Sequence, residues 1–575
     1  MSPRLWLAGA VVLALFTYGR SLYNGFVWDD PIVLDQLRAF RSATDFVVMP
    51  EVVPKFYYRP LVFASLAIDR ALGGETPTLF HLSNIVLHAL NTFLVGRLLL
   101  AWPGLPAELA AAGTLLFAVH PAHTESVAWI SGRSDLLATM FVLFACAVTL
   151  RRNRGLQLGA VPALYFAALL AKEISVALLL LLPVLDRLRR QRWHWQRDLA
   201  IWAFTAGYFF LRAANVGQAL GGNERPGDGS TVVADIVRAL GVYVAHAFLP
   251  GLVNPYMPDV PSHGAYVLAL AAALGALGTL ALRSARLWQH PWMPLCLWFA
   301  AFLLPATFVI VRQSASTLLA DRYLYLPSVA SCALTTGALW AMARKLRAPQ
   351  GTFHLLMGVL LLFSVIRSYQ LVPVWQSNAS FWTAAVASAP LDPVASRELG
   401  LALLELGQTK EARRHLESAL QHARSPEEKA MAASGLASLH RRTGEVDTAL
   451  VLLRQALSAA PHPALYHNLG LTEMMAAELA QRRGKTTAVA SHVANAREAF
   501  LAALQYETSE HFSTYRTLWD PAKTHALLGQ VLFSLGEREA ARQHLATALR
   551  LAPSGPVAQT TRQYWQQVFP GDPLP

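Results

Sequence analysis

Twelve apolar runs, separated by polar or basic breaks, constrain this chain more than anything else in it. The first covers Leu5 to Tyr18. The others fall near 79–101, 108–122, 134–150, 157–171, 174–187, 198–216, 232–250, 264–283, 291–311, 322–343 and 352–371. A bilayer core asks for roughly 20 apolar residues per helix, and only helices or closed barrels satisfy their backbone there. None of the runs alternates as a strand does, so this part of the chain reads as helical and polytopic. The short runs 157–171 and 174–187 read as one broken hairpin. Composition agrees, with 54% of the 575 residues hydrophobic and only 15% charged; soluble domains carry about 25% charged residues.

Arg4 and the run after it resemble the charged and apolar parts of a signal peptide. No small-residue cleavage site precedes Asn24, so a retained signal-anchor helix is expected. The net charge of +12 would suit nucleic acid in a soluble chain. Here the basic residues cluster between the runs, so topology explains them and no nucleic-acid partner is expected. Arg151-Arg152-Asn153-Arg154, the stretch Arg187 to Arg197 with Arg189, Arg190 and Arg192, Arg283 with Arg286, and Arg344-Lys345-Leu346-Arg347 should all be cytoplasmic. Asp29/Asp30, the loop His120 to Arg133, Lys172/Glu173 and the loop Arg312 to Arg322 then share the other side. One run between the basic loops must fail to cross, and 232–250, with Asp235 and Arg238, is the choice. About 11 true spans result, with the chain after 371 outside. Cys146, Cys296 and Cys332 lie inside apolar stretches and give no disulfide framework.

From about 385 the character changes, and a period of about 34 residues appears. Leu399-Gly400 is followed by Ala412, Leu416 and Ala419, and Leu436-Ala437 by Ala449, Leu453, Ala456 and Pro461. Tyr466, Leu469 and Gly470 open a third unit whose second half, Ala496, Phe500 and Ala503, is displaced by an insertion around Gln481 to Val493. Gly529 leads to Ala541, Leu545, Ala548 and Pro553. This is the tetratricopeptide repeat pattern: a small residue of one helix faces Ala in the next, and proline ends the pair. Such solenoids bind partner segments on concave faces. The expected fold class is all-α: a polytopic helical membrane domain over 1–384 followed by a tetratricopeptide α-solenoid over 385–575.

Asn24-Gly25-Phe26-Val27-Trp28-Asp29-Asp30-Pro31 places two adjacent carboxylates just past the first span, at a membrane–water boundary. Charges inside hydrocarbon cost about 2.5–3.5 kcal/mol each on insertion scales, so acids at the rim invite a functional reading. The plainer alternative is a solvated turn with Pro31 as breaker. Phe26-Val27-Trp28-Asp29-Asp30, Tyr57-Tyr58-Arg59-Pro60-Leu61, His81-Leu82-Ser83-Asn84 with His88 and Asn91, the run Val119-His120-Pro121-Ala122-His123-Thr124-Glu125 through Gly132-Arg133-Ser134-Asp135, Lys172-Glu173 and Asp321-Arg322-Tyr323-Leu324-Tyr325 follow in that order. With the trailing repeats they resemble the transmembrane and tetratricopeptide-repeat O-mannosyltransferases and their bacterial relatives, within the GT-C superfamily.

That resemblance implies sugar transfer from a polyprenyl-phosphate-linked donor to an acceptor hydroxyl outside the cytoplasm, with inversion at the anomeric carbon. The arginine-rich, lysine-poor chain suits a bacterial inner membrane, and the repeats would recruit an acceptor protein, a glycan or a partner enzyme. The lipid phosphate leaves as a stable anion, so such a transfer needs one carboxylate base and cations to hold that phosphate. Asp29 and Asp30 suit the base; the superfamily points to the first, Asp29, while the second orients the loop or binds a metal. Arg322 suits a phosphate fork or an ion pair with Asp321. Arg59 suits a phosphate or sugar contact, or snorkels at the interface. Lys172 and Glu173 contact substrate or pair with each other. His120, His123 and Glu125 suit a divalent metal if helical, or hydrogen bonds beneath the loop if Pro121 breaks the helix; no metal ligand is assigned. Arg133 and Tyr323 complete the expected substrate contacts. Two rivals stand beside this reading. An oligosaccharide ligase or polymerase would rely on a large outer loop with Arg/His, and a non-catalytic scaffold would not gather Asp, Arg, His and Glu in its outer loops.

Overall fold

The computed structural model describes residues 3–50, 57–151, 153–188, 194–216, 229–283, 292–312, 317–349, 351–506 and 519–575. Arg152, Arg189, Arg190, Arg192, Arg286 and positions 313–316 of the loop Arg312 to Arg322 lie outside them. Among the described residues every regular element is a helix, and the single extended pairing is a bridge between Met257 and Leu319. The chain forms two compact units. One comprises Met1–Asp30, Phe46–Val48 and Lys55–Phe381; the other comprises Pro31–Asp45, Met49–Pro54 and Trp382–Pro575.

In the first unit each apolar run is helical where described. Among the described residues six helices are long and apolar enough to cross a membrane: Arg4–Tyr23, Pro77–Leu100, Ile130–Thr149, Trp195–Val216, Met293–Val311 and Thr352–Gln376. Ala107–Val119, Gly155–Ala171 and Gly264–Ala276 are apolar but shorter. The hairpin over 157–187 is broken as expected. Helix Arg154–Ala171 stops at an extended Lys172 (φ −161°, ψ 135°), a 3-10 turn covers Glu173–Ala177, and helix Leu178–Leu188 follows. Run 232–250 forms a full helix, Gly229–Phe248, whose Ala239, Val242 and Tyr243 pack in one core with Ala306, Ile310 and Leu324. Arg322 does not start a helix; it lies in the 3-10 turn Asp321–Leu324 ahead of helix Ser328–Lys345. Helix Pro60–Gly73 was not visible as an apolar run, because Arg59 and Asp69-Arg70 bound a short apolar stretch, Pro60 to Ile68; Asp69 is nevertheless buried with Val62, Phe63 and Leu66.

Lipid is as apolar as leucine, so helices in a bilayer gain little from burying more leucine against each other. Polar contacts carry more of the specificity, and the interior of this unit is accordingly polar. Asn84, His88, Asn91, His123 and Arg133 are all buried.

The second unit stacks helix pairs. Pro393–Glu405 pairs with Thr409–His422, Pro426–Arg442 with Val446–Ala459, Pro463–Arg482 with Thr486–Tyr506, and Pro521–Ser534 with Arg538–Leu551; Pro556–Val568 closes the array. Each leading helix opens on proline, whose missing N–H costs nothing at that position. The residue before it (Asp392, Ser425, His462 or Asp520) accepts a backbone N–H from the first turn. The turns within the pairs each use a left-handed glycine, Gly407, Gly444, Gly484 and Gly536. There the next residue's N–H reaches back to close the helix end, as Glu445 N does to His440 O at 2.8 Å. The glycines of three leading helices sit against Leu416, Phe500 and Leu545, and Gly400 and Gly529 also lie near the backbone of the expected Ala412 and Ala541. A Cβ on Gly400 would meet Leu416 Cγ at 2.6 Å, and one on Gly470 would meet Phe500 Cε1 at 2.5 Å. The insertion near Gln481 lengthens both helices of the third pair to 20 and 21 residues instead of forming a loop.

Candidate functional site: an acid pair among paired cations

The two adjacent carboxylates have different surroundings. Asp30 is buried, and both its oxygens are taken up: Oδ2 accepts from Val27 N at 3.0 Å, and Oδ1 accepts from Ser131 N at 3.0 Å and Ser131 Oγ at 2.7 Å. It ties the acid turn to a loop 101 residues away. That loop closes tightly because Gly132 has no side chain; a Cβ there would lie 2.7 Å from Ser126 O. Asp29 is half-buried, and its Oδ1 is buried with no hydrogen-bond partner. Burial pushes Asp29 up to about 6, against the pull of Ser131 and the charges of Arg322 and Arg59. Burial, and then repulsion from Asp29, pushes Asp30 up to about 7.

The turn that presents Asp29 is itself unusual. Trp28 has φ of 60°, the left-handed region, which a bulky side chain rarely enters. Its ring stacks on Trp129 (5.4 Å, 19°) and on Phe381 (5.2 Å, 26°), and its N–H donates to Asn378 Oδ1 at 2.8 Å. Asn378 heads the glycosylation-like Asn378-Ala379-Ser380 triplet, and here its side chain serves this loop.

Three cations face this region, each holding an acid of its own. Arg59 grips Glu173 through Nε at 3.1 Å and Nη2 at 2.9 Å, with its guanidinium 4.6 Å from the Tyr57 ring. Burial would raise Glu173, but Arg59 outweighs it and holds the carboxyl at about 2. Lys172 Nζ donates to Asp135 Oδ1 and Oδ2 at 2.6 and 2.7 Å. Burial lowers Lys172, and Asp135 opposes this. Arg322 donates to Glu125 from its backbone N at 2.9 Å and from its guanidinium, which also covers the Trp129 and Tyr323 rings at 5.4 and 5.2 Å. Two expected pairings are thereby corrected. Lys172 and Glu173 do not pair with each other, because the extended backbone at Lys172 sends successive side chains apart. Asp321 does not pair with Arg322; its oxygens accept from Asn254 N at 2.9 Å and meet His246 Nδ1 at 2.7 Å.

Arg133 is removed from this group. Its guanidinium is buried against Asp69 Oδ2 (2.5 Å), Asn84 Oδ1 (2.8 Å) and Phe80 O (2.7 Å), where it joins helices. His120 and His123 also lie in the interior. His120 Nδ1 accepts from Ala122 N at 3.2 Å, and His123 Nε2 meets Ser328 Oγ at 2.7 Å, beside Tyr325 and His88. Burial lowers both imidazoles. Pro121 starts a 3-10 turn at the end of helix Ala107–Val119, so the helical metal spacing does not form. No group of three metal-ligating side chains occurs among the described residues. Tyr323 stays at the site through its contacts with Arg322 and Lys172. Residue-by-residue reading missed Asp135, Ser131, Trp129 and Asn378, which act through partners far away in sequence. Chemically, the region offers one unengaged buried carboxylate oxygen, three cations each paired with a carboxylate, and an aromatic wall of Trp28, Trp129, Trp375 and Phe381.

Models of the tetratricopeptide repeat match residues 393–462 and 522–554. Protein O-mannosyl-transferase Tmtc1 of Drosophila melanogaster is 37% identical over 195 residues, covering 31% of this chain and 22% of the fly protein. Protein O-mannosyl-transferase TMTC4 of Mus musculus is 27% identical over 490 residues, covering 70% of this chain and 65% of the mouse protein. Mouse TMTC2 is 44% identical over a shorter stretch of 88 residues, 15% of this chain and 10% of that protein. The chain thus covers less than two thirds of each of these relatives.

Proposed function

We propose that this chain is a membrane-embedded inverting glycosyltransferase that moves a sugar from a polyprenyl-phosphate carrier to a hydroxyl, with protein Ser/Thr the favoured acceptor. The observation that carries this is the contrast within the acid pair. Asp30 is locked by three donors, whereas Asp29 keeps a buried, unpartnered oxygen under the charges of Arg322 and Arg59. An inverting transfer needs one such base. Asp29 takes the acceptor's proton as its oxygen bonds to the anomeric carbon and the bond from that carbon to the phosphate oxygen breaks. Arg322, Arg59 and Lys172 receive the negative charge on the departing lipid phosphate. No general acid is required, because the donor's phosphodiester breaks to release the lipid phosphomonoester, a stable anion. Relatives named as protein O-mannosyl-transferases support mannose as the first sugar to try. The basic loops support an acid pair outside the cytoplasm, of a bacterial inner membrane on this reading, with the repeats recruiting the acceptor or a partner enzyme.

The test is mannosyl transfer from undecaprenyl-phosphate mannose to a Ser/Thr-rich peptide by purified full-length protein. Asp29→Asn should lower turnover by about 10²–10⁴-fold, with unchanged abundance and chromatographic behaviour. Asp30→Asn should act mainly on stability. If Asp29→Asn retains full turnover in an active preparation, the assignment of the base is wrong.

A further inference from the structure

The acid turn is held from outside itself, by the end of the last long apolar helix, Thr352–Gln376, and the residues just after it. Gly25 N donates to Gln376 O at 2.9 Å, Asn24 Nδ2 to Val372 O at 3.3 Å and Trp28 N to Asn378 Oδ1 at 2.8 Å. Trp28 also stacks on Phe381, and Trp129, the other ring it stacks on, lies 5.5 Å from Trp375 in a second stack. At the centre is the left-handed Trp28. A β-carbon disfavours that conformation, and it persists only where the surroundings over-determine it. Here they do so through two ring stacks and one N–H acceptor. Strain of this kind next to an unpartnered carboxylate oxygen is the pattern of a pre-organised site.

We propose that Trp28 and Asn378 are positioning residues: the stack on Trp129 and Phe381, with the Asn378 acceptor, keeps residue 28 left-handed and so aims Asp29 at the cation side of the turn. This rests on the reading of Asp29 as the base. The turn's backbone, not the indole's bulk, is what matters to the chemistry. Phenylalanine keeps the stack, glycine keeps access to positive φ without the stack, and alanine keeps neither. Aspartate at 378 keeps the acceptor for Trp28 N, and alanine removes it.

The experiment uses the full chain in detergent or nanodiscs with two readouts. The first is carbodiimide labelling of Asp29, followed by mass spectrometry with exposed Glu411 as internal reference; it needs no turnover. The second is transfer from undecaprenyl-phosphate mannose. Misplacing a catalytic group by about 1 Å costs about 10²-fold, so Trp28→Ala should lose about that much kcat with little change in KM. The expected order in kcat is wild type, Trp28→Phe, Trp28→Gly, Trp28→Ala. Asp29 labelling should rise in the reverse order, and Asn378→Asp should exceed Asn378→Ala in kcat. A side chain that merely fills space predicts the opposite for the last two Trp28 variants, since glycine fills less and loosens more. Glycine equal to or worse than alanine in both readouts overturns the proposal. If the wild type does not turn over this donor, the donor assignment fails while labelling still decides the positioning role. If Asp29→Asn is inactive but Trp28→Ala is fully active and labels normally, the base stands and the positioning role falls.

Discussion

Asp29 and Asp30 are chemically identical and one residue apart, and the structure separates them by what each accepts. The identity of the pair was readable from the sequence, but its division of labour was not. The donors that occupy Asp30 come from Ser131, 101 residues away, and no local pattern announces that contact. The pH behaviour follows from burial. Asp29 must be ionised to act as a base, and its carboxyl is pushed up to about 6. The acidic limb of kcat/KM should therefore bend near pH 6, not near the 3.8 of a free aspartate; a pH profile from 4.5 to 8 checks it. Stability runs the other way. A carboxyl raised in the fold favours the folded state fully only below its unfolded value, and that contribution is lost as pH rises through the folded value. Asp29→Asn should consequently raise the thermal midpoint over wild type at pH 8, with the gain fading towards pH 4 in a detergent thermal-shift series. An active-site group that destabilises its own fold is a familiar cost of function.

At the scale of elements, hydropathy found the long helices because a bilayer makes their pattern coarse, and it missed Pro60–Gly73 because Asp69 and Arg70 cut its apolar stretch short. The repeats were legible for a different reason. Four near-copies of one packing problem recur with glycine, alanine and proline at fixed offsets, whereas the lengthened third pair broke the spacing and read as an insertion. The breaks between helices were the least legible, since a single extended residue decides who pairs with whom. Lys172 is the example. Its ammonium joins Asp135 of helix Arg133–Thr149 to the break after helix Arg154–Ala171, with both side chains only 5% exposed. Removing one partner of such a pair strands the other, at a cost of about 3–5 kcal/mol. Lys172→Met should thus be strongly destabilising, while Lys172→Met with Asp135→Asn recovers most of the loss. Chemical unfolding or thermal aggregation of the two variants measures the difference, and equal destabilisation would show that the pair is not the cause.

For the molecule as a whole, the sidedness read from the basic loops is the claim on which the lipid-donor reading depends. Cys146 and Cys332 are buried and Cys296 is half-buried, so the native chain offers a quiet background for labelling. Single cysteines at Arg347 and at Leu535 should react from opposite sides of an intact membrane, Arg347→Cys from the cytoplasm and Leu535→Cys from outside. Labelling of both from one side would refute the arrangement. One further consequence concerns traffic through the site. Arg59, Lys172 and Arg322 are not bare charges awaiting a guest; Glu173, Asp135 and Glu125 already occupy them. On the proposed function, an arriving lipid phosphate would have to evict an incumbent, so its affinity would reflect only the difference between two anions. On the same reading, the carboxylates would reclaim their cations once the sugar has gone and so displace the spent carrier, an arrangement that would trade tight grip for rapid clearance.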